Sequence, residues 1–407
     1  MITTTGIDSW EQVEEIVPEG WLRDYMKVAR VTRFPLSFHI LCGLFALTTV
    51  VGRRCRLQMP GYNLYPPIWI MLLGTSGVGK GVSMHLPYEV IKGAMGLVDE
   101  FILHRPDTFT RRGIVAECRR VIQDHNVNHL EGAILLDEGS SVFTSRTGTE
   151  TIMQFLIKAG ELDNITDFTG YLGAQQLTGF TLGFAISSTI DLLRESVNAS
   201  VFTGGFMHRF FIAHELLRPR TYDLEGNPNK DDIQDLAQRA RLIRDGAPPA
   251  AALDEDAARL LKRMAMRAEE SSYTSSALAG FWNRLAGLVA KVGLGLSISR
   301  GSSTVTGDDV ARAERLVRGH LYPPIAELVE ELSHNQLRRR LFTVADDLYF
   351  CGERGMELMQ FKRRLPSTNK AQMGVFFDFM LEIELVYQGT IDGVEWVWRL
   401  PEWVRHT

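Results

Sequence analysis

Apolar positions change their spacing several times along the chain. Trp10, Val13, Ile16 and Val17 fall on one helical face, and Leu36 to Val51 is an almost unbroken apolar run. Both stretches predict helices. The second is read as a buried core helix, because it is shorter than the roughly 20 residues a membrane span needs and contains His39, Thr48 and Thr49. Residues 60–67 (PGYNLYPP) form a turn-rich connector. Beyond it, short apolar runs at 68–73, 133–137, 181–188 and 208–214 alternate with longer helical patterns, the signature of a mostly parallel sheet covered by helices. A polar stretch at 219–230 reads as a loop, and helices resume from Asp232, over 254–270, 275–298 and 308–332. Residues 334–400 give three helices and then two short strands, LVYQGT and VEWVWRL, joined through Ile391, Asp392 and Gly393. That order is the one a winged helix would have. Four segments follow: 1–59, helical; 60–218, an α/β core; 219–333, helical; and 334–407, the winged-helix tail.

Composition narrows the class without naming a partner. At 407 residues with 45% in the hydrophobic set, the chain can bury a large core, so dominant disorder is excluded. A formal net charge of -5 and a pI near 6.1 exclude coating of DNA by bulk charge, while a local basic groove or a ring pore stays open. Cys42, Cys55, Cys118 and Cys351 lie far apart with no CxxC pair, so neither a zinc site nor a disulfide framework is predicted. The opening MITTTGIDSWEQ lacks an apolar signal core. A reducing cytoplasm, with no membrane partner, is the expected location.

The segment Gly74-Thr75-Ser76-Gly77-Val78-Gly79-Lys80 follows an apolar run, precedes a helical one and fills the pattern G-x-x-x-x-G-K. Glycines let successive backbone N–H groups turn inward toward phosphates, the following helix adds its positive end, and Lys80 supplies a point charge. An ordinary glycine-rich turn is the plainer alternative. The next residue is Gly81, where a Ser or Thr hydroxyl would normally ligate Mg2+; Ser83 or a water is the candidate substitute. Downstream, the run ending in Asp137-Glu138 places two carboxylates at a strand end, one suited to a Mg2+ shell and the other to orienting and deprotonating water. Ser188 and Thr189, at the end of TLGFAISST, are candidates to position that water. Arg209, between Gly204-Gly205 and an apolar run, is either a surface arginine or one that reaches a neighbouring subunit's nucleotide.

These residues, together with RVTRFPLSFHILCGLFALTTVVGRR, LYPPIWIMLLGTSGVGKG, GAILLDEGSSVF, FAISSTIDLLRESV and FTGGFMHRFFIAHE, resemble a phage and plasmid family of helicase-like P-loop ATPases often fused to primases. The likeness covers roughly residues 25–330. More distantly the chain is similar to the minichromosome maintenance helicases, a ring-forming AAA+ group. The resemblance implies a P-loop NTPase core of AAA+ type with a helical lid, ATP and Mg2+ as cofactors, and assembly into a hexamer. It implies that Arg209 in His208-Arg209-Phe210 is the arginine donated in trans and that Arg284 is the lid's sensor arginine; the plainer alternative for Arg284 is a snorkelling surface residue. It also implies a pore hairpin over Ile165–Phe180 with Gly170–Gly173 at its tip. Single-stranded DNA, a second copy of the chain and a separate primase are the partners it suggests.

The tail carries Arg338, Arg339, Arg340, Lys362, Arg363, Arg364, Lys370, Arg399 and Arg405 among acidic residues, so both DNA contact and protein docking fit it. Three functional expectations result: a replicative DNA helicase or translocase, a helicase loader or remodelling ATPase, and a nucleotide-gated DNA-binding oligomer whose hydrolysis is weakened by Gly81.

Overall fold

The computed structural model describes residues 4–32, 34–96, 101–106, 111–125, 130–139, 165–169, 173–177, 180–196, 206–216, 226–272, 279–328, 348, 356–365, 376–378, 380–381, 386–391 and 394–399. They belong to two compact units, Met1–Val329 and Glu330–Thr407.

In the first unit a hairpin of β1 (Leu57–Met59) and β2 (Tyr62–Leu64) precedes β3 (Trp69–Gly74), β4 (Phe101–His104) and β5 (Leu130–Leu136). Strands β6 (Ile165–Thr169) and β7 (Gly173–Leu177) pair antiparallel, followed by β8 (Phe180–Ser188) and β9 (Phe210–Glu215). Five of these form one parallel sheet in the order β4-β5-β8-β3-β9. Every residue of β3, β5 and β9 is buried. That is why their sequences run apolar without alternation: helices cover both faces of the sheet. Four of the five strands fall on the expected apolar runs. The fifth, β4, is a four-residue edge strand with one buried position, Ile102, too short to announce itself.

Helix α1 (Trp10–Ile16) starts at Ser9, which forms a capping box with Gln12. It leads to α2 (Trp21–Ala29) and to α3 (Leu36–Val51), in which every residue except Leu36 is buried. One side of α3 lies on β3, β8 and β9, and the rest is surrounded by α2, helix His85–Met95, helix Lys230–Gly246 and helix Leu285–Ser299. A helix enclosed on all sides is apolar on all sides. Among the described residues only Leu36–Arg54 is long and apolar enough to cross a membrane, and 89% of its apolar window is buried inside the protein.

The segment expected as a lid begins as part of this core. Helix Lys230–Gly246 packs on α2 and α3, receives a hydrogen bond from Trp21 Nε1 at the Leu236 carbonyl (2.9 Å), and sends Arg244 to Glu131 Oε2 (2.9 Å) and to the Val50 carbonyl (2.6 Å). The parallel pair β10 (Ala252–Leu253) and β11 (Thr304–Val305) ties the two ends of the following helices together. The continuous helix expected over 275–298 is instead two, Ala279–Trp282 and Leu285–Ser299, with Asn283 and Arg284 at the break. The last expected helix starts at a Thr306–Asp309 capping box, runs Gly307–Glu314, and widens into a π-turn over Arg315–Leu321.

The second unit contains β12 (Met356–Glu357), β13 (Val386–Ile391) and β14 (Val394–Arg399) in an antiparallel sheet of order β12-β14-β13, with helix Leu358–Lys362 beside it. Phe361, Phe377, Met380, Val386 and Val397 are central to its core. The expected hairpin is present, with Ile391 already paired to Val394. Arg338, Arg339, Arg340, Lys370 and Arg405 lie outside the described residues, as do Gly170 at the tip between β6 and β7 and most of the polar stretch 219–230.

Candidate functional site

Because the five strands are parallel, the residues that follow them gather at one end of the sheet. In register, Leu73 lies beside Ser188, Gly74 beside Glu215, and Leu136 beside Ile186. The turn after β3, the acids after β5 and the tip of β8 therefore meet, and they line a cleft of about 740 Å3 that includes Ser76, Gly77, Lys80, Asp137, Glu138 and Ser188. Thr189 and Gly81 line it as well. Ligands in open α/β sheets sit outside the carboxyl ends of the strands in this way.

The turn itself is shaped by two glycines. Gly77 and Gly79 have φ of 83° and 101°, conformations that a side chain disfavours. At Gly79 a Cβ would also run into the ring of Phe34, which comes from the segment just before α3. Thr75 closes the other side by donating its Oγ1 to the Leu216 carbonyl at 2.7 Å. Lys80 opens the short helix Lys80–Ser83, with its Nζ donating to the carbonyls of Gly74 and Thr75, both at 2.8 Å. Partial burial lowers the Lys80 pKa, opposed by the negative charge of Glu138.

Asp137 and Glu138 are exposed to the cleft while the strand behind them is buried. Asp137 is not open, however. Arg105, immediately after β4, grips it with Nε to Oδ2 and Nη2 to Oδ1, both 2.9 Å, and its Nη2 also reaches the Gly81 carbonyl at 3.4 Å. Such a two-pronged pair is directional as well as charged. Behind the acids, Ser187 Oγ donates to the Asp137 carbonyl and Gly139 N–H donates to the Ser187 carbonyl (2.8 Å), which fastens β5 to β8 at their tips. Sequence reading missed Arg105. The signal was a lone cation following FILH, and it becomes legible only once that segment is known to be the strand beside β5.

A divalent ion fits this cleft in part. Among the described residues no group of three or more His, Cys, Asp or Glu can hold a metal. Mg2+ nonetheless commonly takes one carboxylate, several waters and the oxygens of a bound phosphate, and Asp137 is placed for that. Ser83, the expected substitute ligand, is fully buried and does not line the cleft, and its Oγ has no hydrogen-bond partner among the described residues.

Arg209 and Arg284 are not in this cleft. Arg209 precedes β9 and Arg284 sits at the helix break, and both line a separate cavity of about 370 Å3 with Trp69, Thr181 and Leu182, at the amino ends of β3 and β8. The six expected catalytic residues thus divide into Lys80, Asp137, Glu138 and Ser188 at one end of the sheet and the two arginines at the other. Against known proteins, no family model and no curated sequence matches the chain.

Proposed function

We propose that the chain is a Mg2+-dependent ATPase of the P-loop, AAA+-like class that works as a ring on single-stranded DNA. One observation carries the reading: the Gly74–Lys80 turn, the Asp137-Glu138 pair and the Ser187–Thr189 tip come from three strands adjacent in the sheet and line a single cleft.

In this reading the β and γ phosphates lie in the Gly74–Gly81 turn, and Lys80 leaves the Gly74 and Thr75 carbonyls for their oxygens. Asp137, once released from Arg105, would be the residue that holds Mg2+, and the ion would supply positive charge against the phosphates. Glu138 orients a water with Ser188 and takes its proton as the water oxygen bonds to the terminal phosphorus and the bond to the leaving ADP oxygen breaks. Arg209 and Arg284, at the far end of their own sheet, serve a neighbouring copy's nucleotide. The β6–β7 hairpin, inserted between the acid strand and β8, and the cationic tail residues Lys362 and Arg363 are the elements suited to DNA.

A nucleotide-gated oligomer with slow turnover is the second reading, favoured by Gly81 and by Arg105 occupying both oxygens of Asp137. Purified protein separates the two. The motor reading expects single-stranded DNA to stimulate ATP hydrolysis and ATP to drive strand displacement without a partner. Turnover unaffected by DNA, with ATP only holding subunits together, supports the second reading; stimulation without displacement points to a loader.

A further inference from the structure

Helix Glu255–Ser272 turns one face inward and leaves the other in water. Ala257, Leu261, Met264 and Ala268 are buried, and the helix packs against helices Leu285–Ser299 and Gly307–Glu314. On the opposite side, Arg259, Lys262, Arg263, Met266 and Arg267 follow the i, i+3, i+4, i+7, i+8 spacing that makes a single stripe. All five are exposed, Met266 to 59%. The acids of this helix sit toward its ends, Glu255 and Asp256 in the first turn and Glu269 and Glu270 near the last, so residues 257–268 carry cations only.

A solvated helix face is steadied when Glu and Lys or Arg stand four residues apart. Here Arg259, Arg263 and Arg267 stand four apart with one sign, which costs helix stability instead. Arg259 pairs with Asp256; among the described residues Lys262, Arg263 and Arg267 form no ion pair. In a chain of net charge -5, cations gathered on one stripe against their own repulsion point to an anionic partner. They extend over about 12 Å of helix axis, which suits a linear polyanion better than one small anion. Protein interfaces of ordinary size bury about 800 Å2 per partner and keep charge out of their centre. This stripe has the reverse make-up, since Met266 is its one apolar side chain. An unpaired strand offers both phosphates for the cations and open base faces for Met266, whereas a duplex hides those faces.

We propose that the outer face of helix Glu255–Ser272 is a docking surface for single-stranded nucleic acid, with Lys262, Arg263 and Arg267 on phosphates and Met266 against a base. The inference rests, for its choice of partner, on the reading of the chain as one that works on single-stranded DNA. The phosphate cleft plays no part in it.

The test is fluorescence anisotropy of a labelled oligothymidylate with the full-length protein, without ATP, over a series of salt concentrations. Wild-type protein is expected to bind, and Lys262→Gln/Arg263→Gln/Arg267→Gln to bind about tenfold or more weakly at low salt. The double-logarithmic salt slope of that variant should be shallower by about 2, because each single-strand phosphate contact contributes roughly 0.7. A control, Lys27→Gln/Arg120→Gln/Arg318→Gln, removes the same charge from exposed, ion-paired positions and should keep wild-type affinity and slope. Thermal melts establish that the variants are folded, and the stripe variant should melt at or above wild type because its like-charge neighbours are gone. Equal losses in the two variants, or a duplex of the same length bound as tightly as the single strand, overturn the proposal. Binding that the stripe variant leaves intact overturns it alone, and a changed oligomeric state of that variant in sedimentation would assign the face to contacts between copies. No binding by wild-type protein overturns it together with the choice of DNA as partner.

Discussion

At Gly81 an added Cβ would meet nothing within 4 Å, so a serine can be introduced after Lys80 with room for its Cβ. Gly81→Ser should fold at least as well as the parent, since serine is favoured over glycine in a helix by about 0.5 kcal/mol. It should also lower the Mg2+ concentration needed for half-maximal ATP-dependent thermal stabilisation; an unchanged or raised requirement would mean that position 81 does not face the metal. Arg105 acts on the same balance from the other side. Its side chain and that of Asp137 are 25% and 50% exposed, so the pair is worth about 1 kcal/mol at most. Arg105→Ala should therefore lower the Mg2+ requirement by up to about fivefold at saturating nucleotide. A rise instead would assign Arg105 to the phosphates. Lys80, Asp137 and Glu138 were legible from sequence because each follows an apolar strand within a few residues, and Ser188 because it ends one. Arg105 was not, because its partner lies 32 residues away.

Between elements, the contact of α3 with the end of β9 has a titratable centre. Ser37 donates its Oγ to Glu215 Oε1 at 2.6 Å, and burial raises the Glu215 pKa from 4.5 to about 7, assisted by the nearby charge of Asp8 and opposed by the Ser37 hydrogen bond. A raised carboxyl pKa means that the unfolded chain loses its proton first as pH climbs. The stability gained by keeping Glu215 neutral is thus present below about pH 4.5 and lost as pH rises to about 7. Glu215→Gln keeps an acceptor for Ser37 without the charge, so its stability relative to wild type should improve between pH 5 and pH 8 by on the order of 3 kcal/mol. Parallel denaturant melts would show it, and a difference independent of pH would place Glu215 in contact with water. The same scale shows where sequence patterns end. Runs buried on both faces, such as β3 and β5, declare themselves. The edge strand β4 does not, and neither does the helix break at Asn283-Arg284, where no proline marks the interruption and Gly280, three residues earlier, is tight against His208.

Across the whole first unit, strand order decides what meets what. The insertion of β8 between β5 and β3 brings Ser187 to Asp137 across 50 residues of sequence, and no local pattern encodes it. The same order puts the Gly74–Lys80 turn and the carboxylates at the carboxyl ends of the strands, and a cavity lined by Arg209, Arg284 and Lys291 at the amino ends. Calorimetric titration of ATP with and without Mg2+, into wild-type and Lys80→Ala protein, tests the cleft most directly. The account predicts Mg2+-dependent binding to wild type that Lys80→Ala weakens about tenfold to a hundredfold. ATP affinity indifferent to both Mg2+ and Lys80, or no affinity at all, would contradict it.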